Sequence, residues 1–146
     1  LRLVGPVSRD LQNRIETLKN KFDLSYSGEI PYHQVALEMQ QASAFVLFSN
    51  QENFPCVIVE ALASGLPVIT SDAGGAGECI DIQNGKVVPV GNQEKLLQAL
   101  TELLDQDHIY NKSEIAEIAK SKFSYLVIGQ QFSNLYDKIL QPGFSL

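Results

Sequence analysis

The sequence predicts an α/β fold in which a parallel sheet is flanked by helices. Two observations carry this. Short apolar runs ending in turn residues alternate with longer segments at helical spacing, and the chain beyond Pro89 reads as wholly helical. With 146 residues, 45% of them hydrophobic, the chain fits a single domain, 1–146, that can bury a core of its own. It contains no repeat and no low-complexity linker.

Leu1 to Gly5 reads as the first strand, and the segment from about Arg9 to Lys21 as a helix with Leu11, Ile15, Leu18 and Phe22 on one stripe. Leu24 to Gly28 is the second strand. Pro31 opens the next helix, because proline is tolerated where the amide has no intrahelical partner; Val35, Leu37, Met39 and Ala42 follow it. Ala44 to Ser49 is the third strand. Pro55 repeats the opening device for a helix that runs to about Ser64 and stops at Gly65, handing over to the buried strand Pro67 to Ser71. Lys86 to Val88 is the last strand. Helices are expected near Gln93 to Leu104, Ile109 to Lys122 and Tyr125 to Leu140, with Phe123, Tyr125, Phe132 and Tyr136 forming the packed face of the last two. The chain opens directly inside an apolar strand, and from this we expect that residues upstream are absent.

Composition narrows the function. The net charge is −6 with scattered acidic residues, which disfavours nucleic acid and anionic membranes as partners. Cys56 and Cys79 are far apart, lack metal-type spacing and sit among apolar residues, so they are expected to be buried free thiols. No apolar run approaches the ~18 residues needed to span a bilayer, and the start lacks the parts of a signal peptide. A cytoplasmic setting is expected.

The chemistry concentrates in Glu52-Asn53-Phe54-Pro55-Cys56-Val57-Ile58-Val59-Glu60. Glu60 stands in a strongly apolar stretch, where an unpaired carboxylate would cost several kcal/mol to bury, so it must face a cleft or receive donors. In open parallel sheets ligands bind beyond the carboxyl ends of the strands. The loops there, Gly5-Pro6, Ser27-Gly28-Glu29, Ser49 to Glu52 and Ser71 to Gly75, are rich in glycine and polar residues. The third leads into the helix opened by Pro55, whose free amides on Cys56, Val57 and Ile58 would point back at the loop and suit a phosphate or diphosphate. Glu60, further along that helix, suits the vicinal hydroxyls of a ribose, and Glu52 a second hydroxylated group across the phosphates.

The run Ser49 to Glu78, in which the two glutamates are followed by Ala-Leu-Ala-Ser-Gly-Leu-Pro-Val and then by Gly-Gly-Ala-Gly-Glu, resembles the donor-binding segment of the retaining glycosyltransferases often called family 4. The likeness extends more loosely over nearly the whole chain, including Leu3-Val4-Gly5 and Asn84-Gly85. It implies a Rossmann-like, nucleotide-sugar-binding domain, the C-terminal half of a two-domain GT-B fold whose first strand is missing here. The active site would lie in a cleft against an N-terminal acceptor domain. By matching position, Glu52 would hold the donor sugar and count as the catalytic residue, and Glu60 would hold the ribose. Phe54, Pro55 and Cys56 would line the sugar, and the Val57 and Ile58 amides would meet the phosphates. Gly28, Glu29 and Ile30 would contact the base, Gly74 and Gly75 would close the loop beside the sugar, and Glu78 would be structural.

The chain also departs from the family pattern. The basic loop that neutralises the leaving diphosphate and the acceptor domain are both missing, so the segment alone is expected to be inactive. Pro55 replaces a small residue, and Pro6-Val7 a second glycine. No cofactor or metal is expected. Asp105-Gln106-Asp107 imitates a metal-binding Asp-x-Asp motif but falls between helices, where aspartate serves as a cap. His33 and His108 read as surface residues, and Asn111-Lys112-Ser113 as an accidental glycosylation match. Membrane association is expected only through the missing domain. Two other functions fit the same residues, a nucleotide-sugar epimerase and a non-catalytic nucleotide-sugar sensor.

Overall fold

The computed structural model describes residues 1–105 and 109–140. The chain divides into two compact units, Leu1–Gln41 and Ala42–Leu146, with a two-stranded parallel sheet in the first and a three-stranded one in the second.

In the first unit β1 (Arg2–Leu3) pairs with β2 (Ser25–Tyr26), Arg2 opposite Ser25 and Leu3 opposite Tyr26. Between them runs α1 (Arg9–Lys19), started by Ser8, whose hydroxyl accepts from the Leu11 amide at 3.3 Å. α2 (Tyr32–Gln41) follows Pro31, whose carbonyl accepts from the Gln34 amide at 2.8 Å. Arg2 ties β1 to α2 by donating to Glu38 at 2.9 Å and Gln41 at 3.1 Å. The expected apolar stripe of α1 is only partly used. Ile15 is buried, whereas Leu11, Leu18 and Phe22 are exposed, because two strands of two residues give the unit little surface to bury a whole stripe against.

The second unit holds β3 (Phe45–Leu47), β4 (Val68–Ser71) and β5 (Gly85–Val88) in the order β3-β4-β5, all parallel. The central strand β4 is buried throughout, as expected of a parallel strand covered on both faces. α3 (Cys56–Ala63) connects β3 to β4 and buries Ile58, Ala61 and Leu62. A short 3-10 turn, Gly74–Gly77, follows β4. α4 (Gln93–Asp105) packs Ala99 and Leu103 onto Ile69 and Val88 to form a core cluster. α5 (Lys112–Phe123) is capped by the Asn111 side chain, which accepts from Ser113 and Glu114 at 3.1 and 3.3 Å. Ser124 then caps α6 (Tyr125–Ile139). No helix among the described residues is long and apolar enough to cross a membrane.

The aromatic face expected on the last helices is not packed. Phe123 is half-buried, but Tyr125 is 99% exposed and α6 buries no residue at all. Phe132 and Tyr136 instead stack on each other, ring centroids 6.3 Å apart, along the exposed side. Residues four apart share one side of a helix whether or not a second layer covers it, so their spacing could not tell a packed face from an open one.

Candidate functional site

The carboxyl ends of β3 and β4 carry the expected loops, and backbone contacts join the two. The Gly75 amide donates to the Asn53 carbonyl at 2.6 Å. Gly74 has φ +54°, and a Cβ there would overlap the Glu52 carbonyl oxygen; one on Gly75 would come 2.5 Å from the Asn53 carbonyl oxygen. Only glycines can lie this close to the 52–53 backbone, so the Gly74-Gly75 pair and the Glu52 loop lie directly against each other.

Glu52 is half-buried, and its carboxylate oxygen Oε1 accepts from the Ser49 hydroxyl at 2.7 Å. Ser49 is fixed in turn, its carbonyl accepting from the Ser71 hydroxyl at 2.5 Å. Sequence reasoning passed over both serines as site residues, because nothing in the spacing of two serines 22 positions apart signals that the hydroxyl of one reaches the backbone carbonyl of the other.

α3 begins directly after this loop. Phe54 is 44% exposed, Pro55 is half-buried and Cys56 is exposed. Of the three amides expected to be free, that of Ile58 is already engaged, donating to the Pro55 carbonyl at 3.0 Å in a tight first turn. The amides of Cys56 and Val57 belong to the first two residues of α3, at the positive end of the helix. Glu60 is half-buried on α3, and its backbone carbonyl accepts from the Ser64 amide and hydroxyl at 3.0 and 2.9 Å. Glu78 is exposed beside the glycine pair, its amide donating to the Gly75 carbonyl at 3.2 Å.

Gly28, Glu29 and Ile30 belong to the first unit. Gly28 has φ +67° and its carbonyl accepts from the Gly5 amide at 2.7 Å, so the loops following β1 and β2 are joined there; Glu29 is exposed and Ile30 half-buried.

The cysteines are free, as expected, but neither is fully buried. Cys56 is exposed, a consequence of standing first on α3, and Cys79 is half-buried. Burial raises the Cys79 thiol above its ordinary value, with Glu78 adding to the shift and Lys122 opposing it. Cys79 lines a cavity of about 170 Å³ with Leu62, Ile115, Ala119 and Phe123; Glu52, Glu60 and the glycine pair do not line it. Asp105 ends α4 and His33 is exposed, while Gln106, Asp107 and His108 lie outside the described residues.

A family model described as "Glycosyl transferases group 1" matches residues 1–122. The putative colanic acid biosynthesis glycosyltransferase WcaL of Salmonella typhimurium is 27% identical, the match covering 93% of this chain and 36% of that protein. The chain spans well under half the length of the curated relatives it matches. Among solved structures, the sucrose-phosphate synthase of Thermosynechococcus elongatus superposes with a TM-score of 0.79 at 26% identity, over 95% of this chain and 38% of that one. Anabaena Alr3699/HepE in complex with UDP superposes with a TM-score of 0.76 at 24% identity, over 93% of this chain and 40% of that one.

Proposed function

The chain belongs to the glycosyl transferases group 1 family, and on that premise we propose that it is the donor-binding part of a retaining glycosyltransferase. It would serve as the C-terminal half of a two-domain enzyme that moves a sugar from a nucleotide diphosphate to an acceptor held by an N-terminal domain. The names of relatives such as the colanic acid protein favour a role in polysaccharide assembly.

One observation carries the reading. The Glu52 loop, the Gly74-Gly75 pair and the start of α3 meet at the carboxyl ends of adjacent parallel strands. In this reading Glu52 accepts hydrogen bonds from hydroxyls of the donor sugar, which the glycine pair and residues 54–56 border. The Cys56 and Val57 amides face the diphosphate, and Glu60 takes the ribose hydroxyls. Bond cleavage builds positive charge on the sugar and negative charge on the departing diphosphate. The carboxylate stabilises the first, the helix amides the second, and no divalent metal is required.

The test is calorimetric titration of the full-length protein with UDP, GDP and ADP and their sugars, beside Glu60→Ala. We expect one nucleotide series to bind and the substitution to weaken it by about tenfold or more, since it removes hydrogen bonds to a charged acceptor. If no nucleotide binds, or if binding is indifferent to Glu60→Ala, the assignment is wrong.

A further inference from the structure

The Glu52 loop is anchored on both sides of its carboxylate. At residue 49 the Ser71 hydroxyl, fully buried at the end of β4, donates to the Ser49 carbonyl at 2.5 Å. At residue 53 the carbonyl accepts from Gly75 at 2.6 Å. Between these points the Ser49 hydroxyl donates to Glu52 Oε1 at 2.7 Å, the one hydrogen bond to that carboxylate among the described residues. The neighbouring buried hydroxyl, Thr70, is satisfied locally by the Ser71 carbonyl at 3.3 Å, so a hydroxyl on this strand does not need to reach across to the loop in order to find a partner.

We propose that Ser49 is a positioning residue for Glu52, and that Ser71 holds Ser49 in place from the floor of the sheet. The proposal rests on the reading that Glu52 meets the donor sugar. A flexible side chain at the edge of a cleft would otherwise sample several rotamers, and ordering it would be charged against sugar binding. A donor on Oε1 fixes the carboxylate plane and directs the remaining acceptor capacity to a sugar hydroxyl. The Ser71 hydroxyl, committed to the Ser49 carbonyl, keeps the backbone of that donor from drifting. The serines would therefore act on the sugar end of the donor and not on its nucleotide.

The experiment compares Ser49→Ala, Ser49→Thr, Ser71→Ala and Glu52→Gln with the wild type in the full-length protein. It measures affinity for UDP, GDP and ADP and for their sugars, kcat and KM for transfer, and the unfolding temperature. For whichever donor the wild type uses, Ser49→Ala should lower kcat/KM by about tenfold, as expected for losing a hydrogen bond to a charged group, while affinity for the free nucleotide is unchanged. Ser49→Thr, which keeps the hydroxyl, should restore most of the loss, and Ser71→Ala should shift the same parameter in the same direction. An unchanged kcat/KM in Ser49→Ala overturns the proposal. So does an equal loss for nucleotide and nucleotide sugar, or a loss that tracks unfolding temperature and is not rescued by threonine. If Glu52→Gln itself leaves transfer intact, the assignment of Glu52 fails first and the positioning role falls with it. If Glu52→Gln is impaired and Ser49→Ala is not, only the positioning role is lost.

Discussion

The amide of Gly75 donates to the carbonyl of Asn53 across 2.6 Å, and this bond closes the loop after β4 onto the loop before α3. The contact leaves no room for a side chain at either glycine, so the fit between the two loops depends on two residues that contribute no side-chain chemistry to it.

Gly74 and Gly91 offer a clean comparison. Both have positive φ, +54° and +71°, but a Cβ on Gly91 would meet nothing within 4 Å, whereas one on Gly74 would overlap the Glu52 carbonyl. Gly91→Ala should therefore lose only the conformational term, about 1 kcal/mol. Gly74→Ala should lose that and an overpacking term, roughly 2–4 kcal/mol in total. Urea unfolding of the two variants measures the difference. Equal losses would mean that the loops are not in contact.

The order of strands and helices was legible in the sequence because each signal is local. Proline before Tyr32 and before Cys56, glycine after α3 and the alternation of apolar runs all act within a few residues of the boundary they set. The site was legible as a set of positions for the same reason. Its connections were not. That Ser71 reaches Ser49, or that Ile58 spends its amide on Pro55, follows from how two strands and a helix turn settle against each other, which no spacing encodes. The exposure of Tyr125 and of Cys56 was missed on the same ground, since apolar character says what a residue prefers and not whether a neighbour is present to cover it.

The two cysteines should differ in reactivity. Cys56 is exposed at the start of α3, whereas Cys79 is half-buried with its thiol held protonated to higher pH by burial. The thiolate is the reacting form, so both access and ionisation slow Cys79. Iodoacetamide at mildly alkaline pH, followed by peptide mass spectrometry, should label Cys56 well before Cys79. A bound nucleotide sugar should slow labelling of Cys56 and leave that of Cys79 unchanged. Protection of Cys79 alone would point to a ligand in its cavity and away from the α3 site.

The ion pair between Lys86 on β5 and Glu102 on α4 gives the second unit a defined response to acid. The Glu102 carboxyl is held below its ordinary value, first by the hydrogen bond from Lys86, then by one from Gln98, with the Lys86 charge adding to both. A carboxylate whose folded value lies below its unfolded one binds fewer protons in the folded state, so its contribution is present above the ordinary carboxylate range and is lost as the pH falls through the folded value. Glu102→Gln should accordingly unfold at a lower temperature than the wild type near neutral pH, and the gap between them should close as the solution is acidified below the carboxylate range. Both side chains are partly exposed, so the gap at neutral pH should be small and should shrink further in high salt. Thermal unfolding of the two proteins across a pH series is the measurement, and a gap that persists unchanged in acid would assign the loss to packing on α4, with no part for the charge.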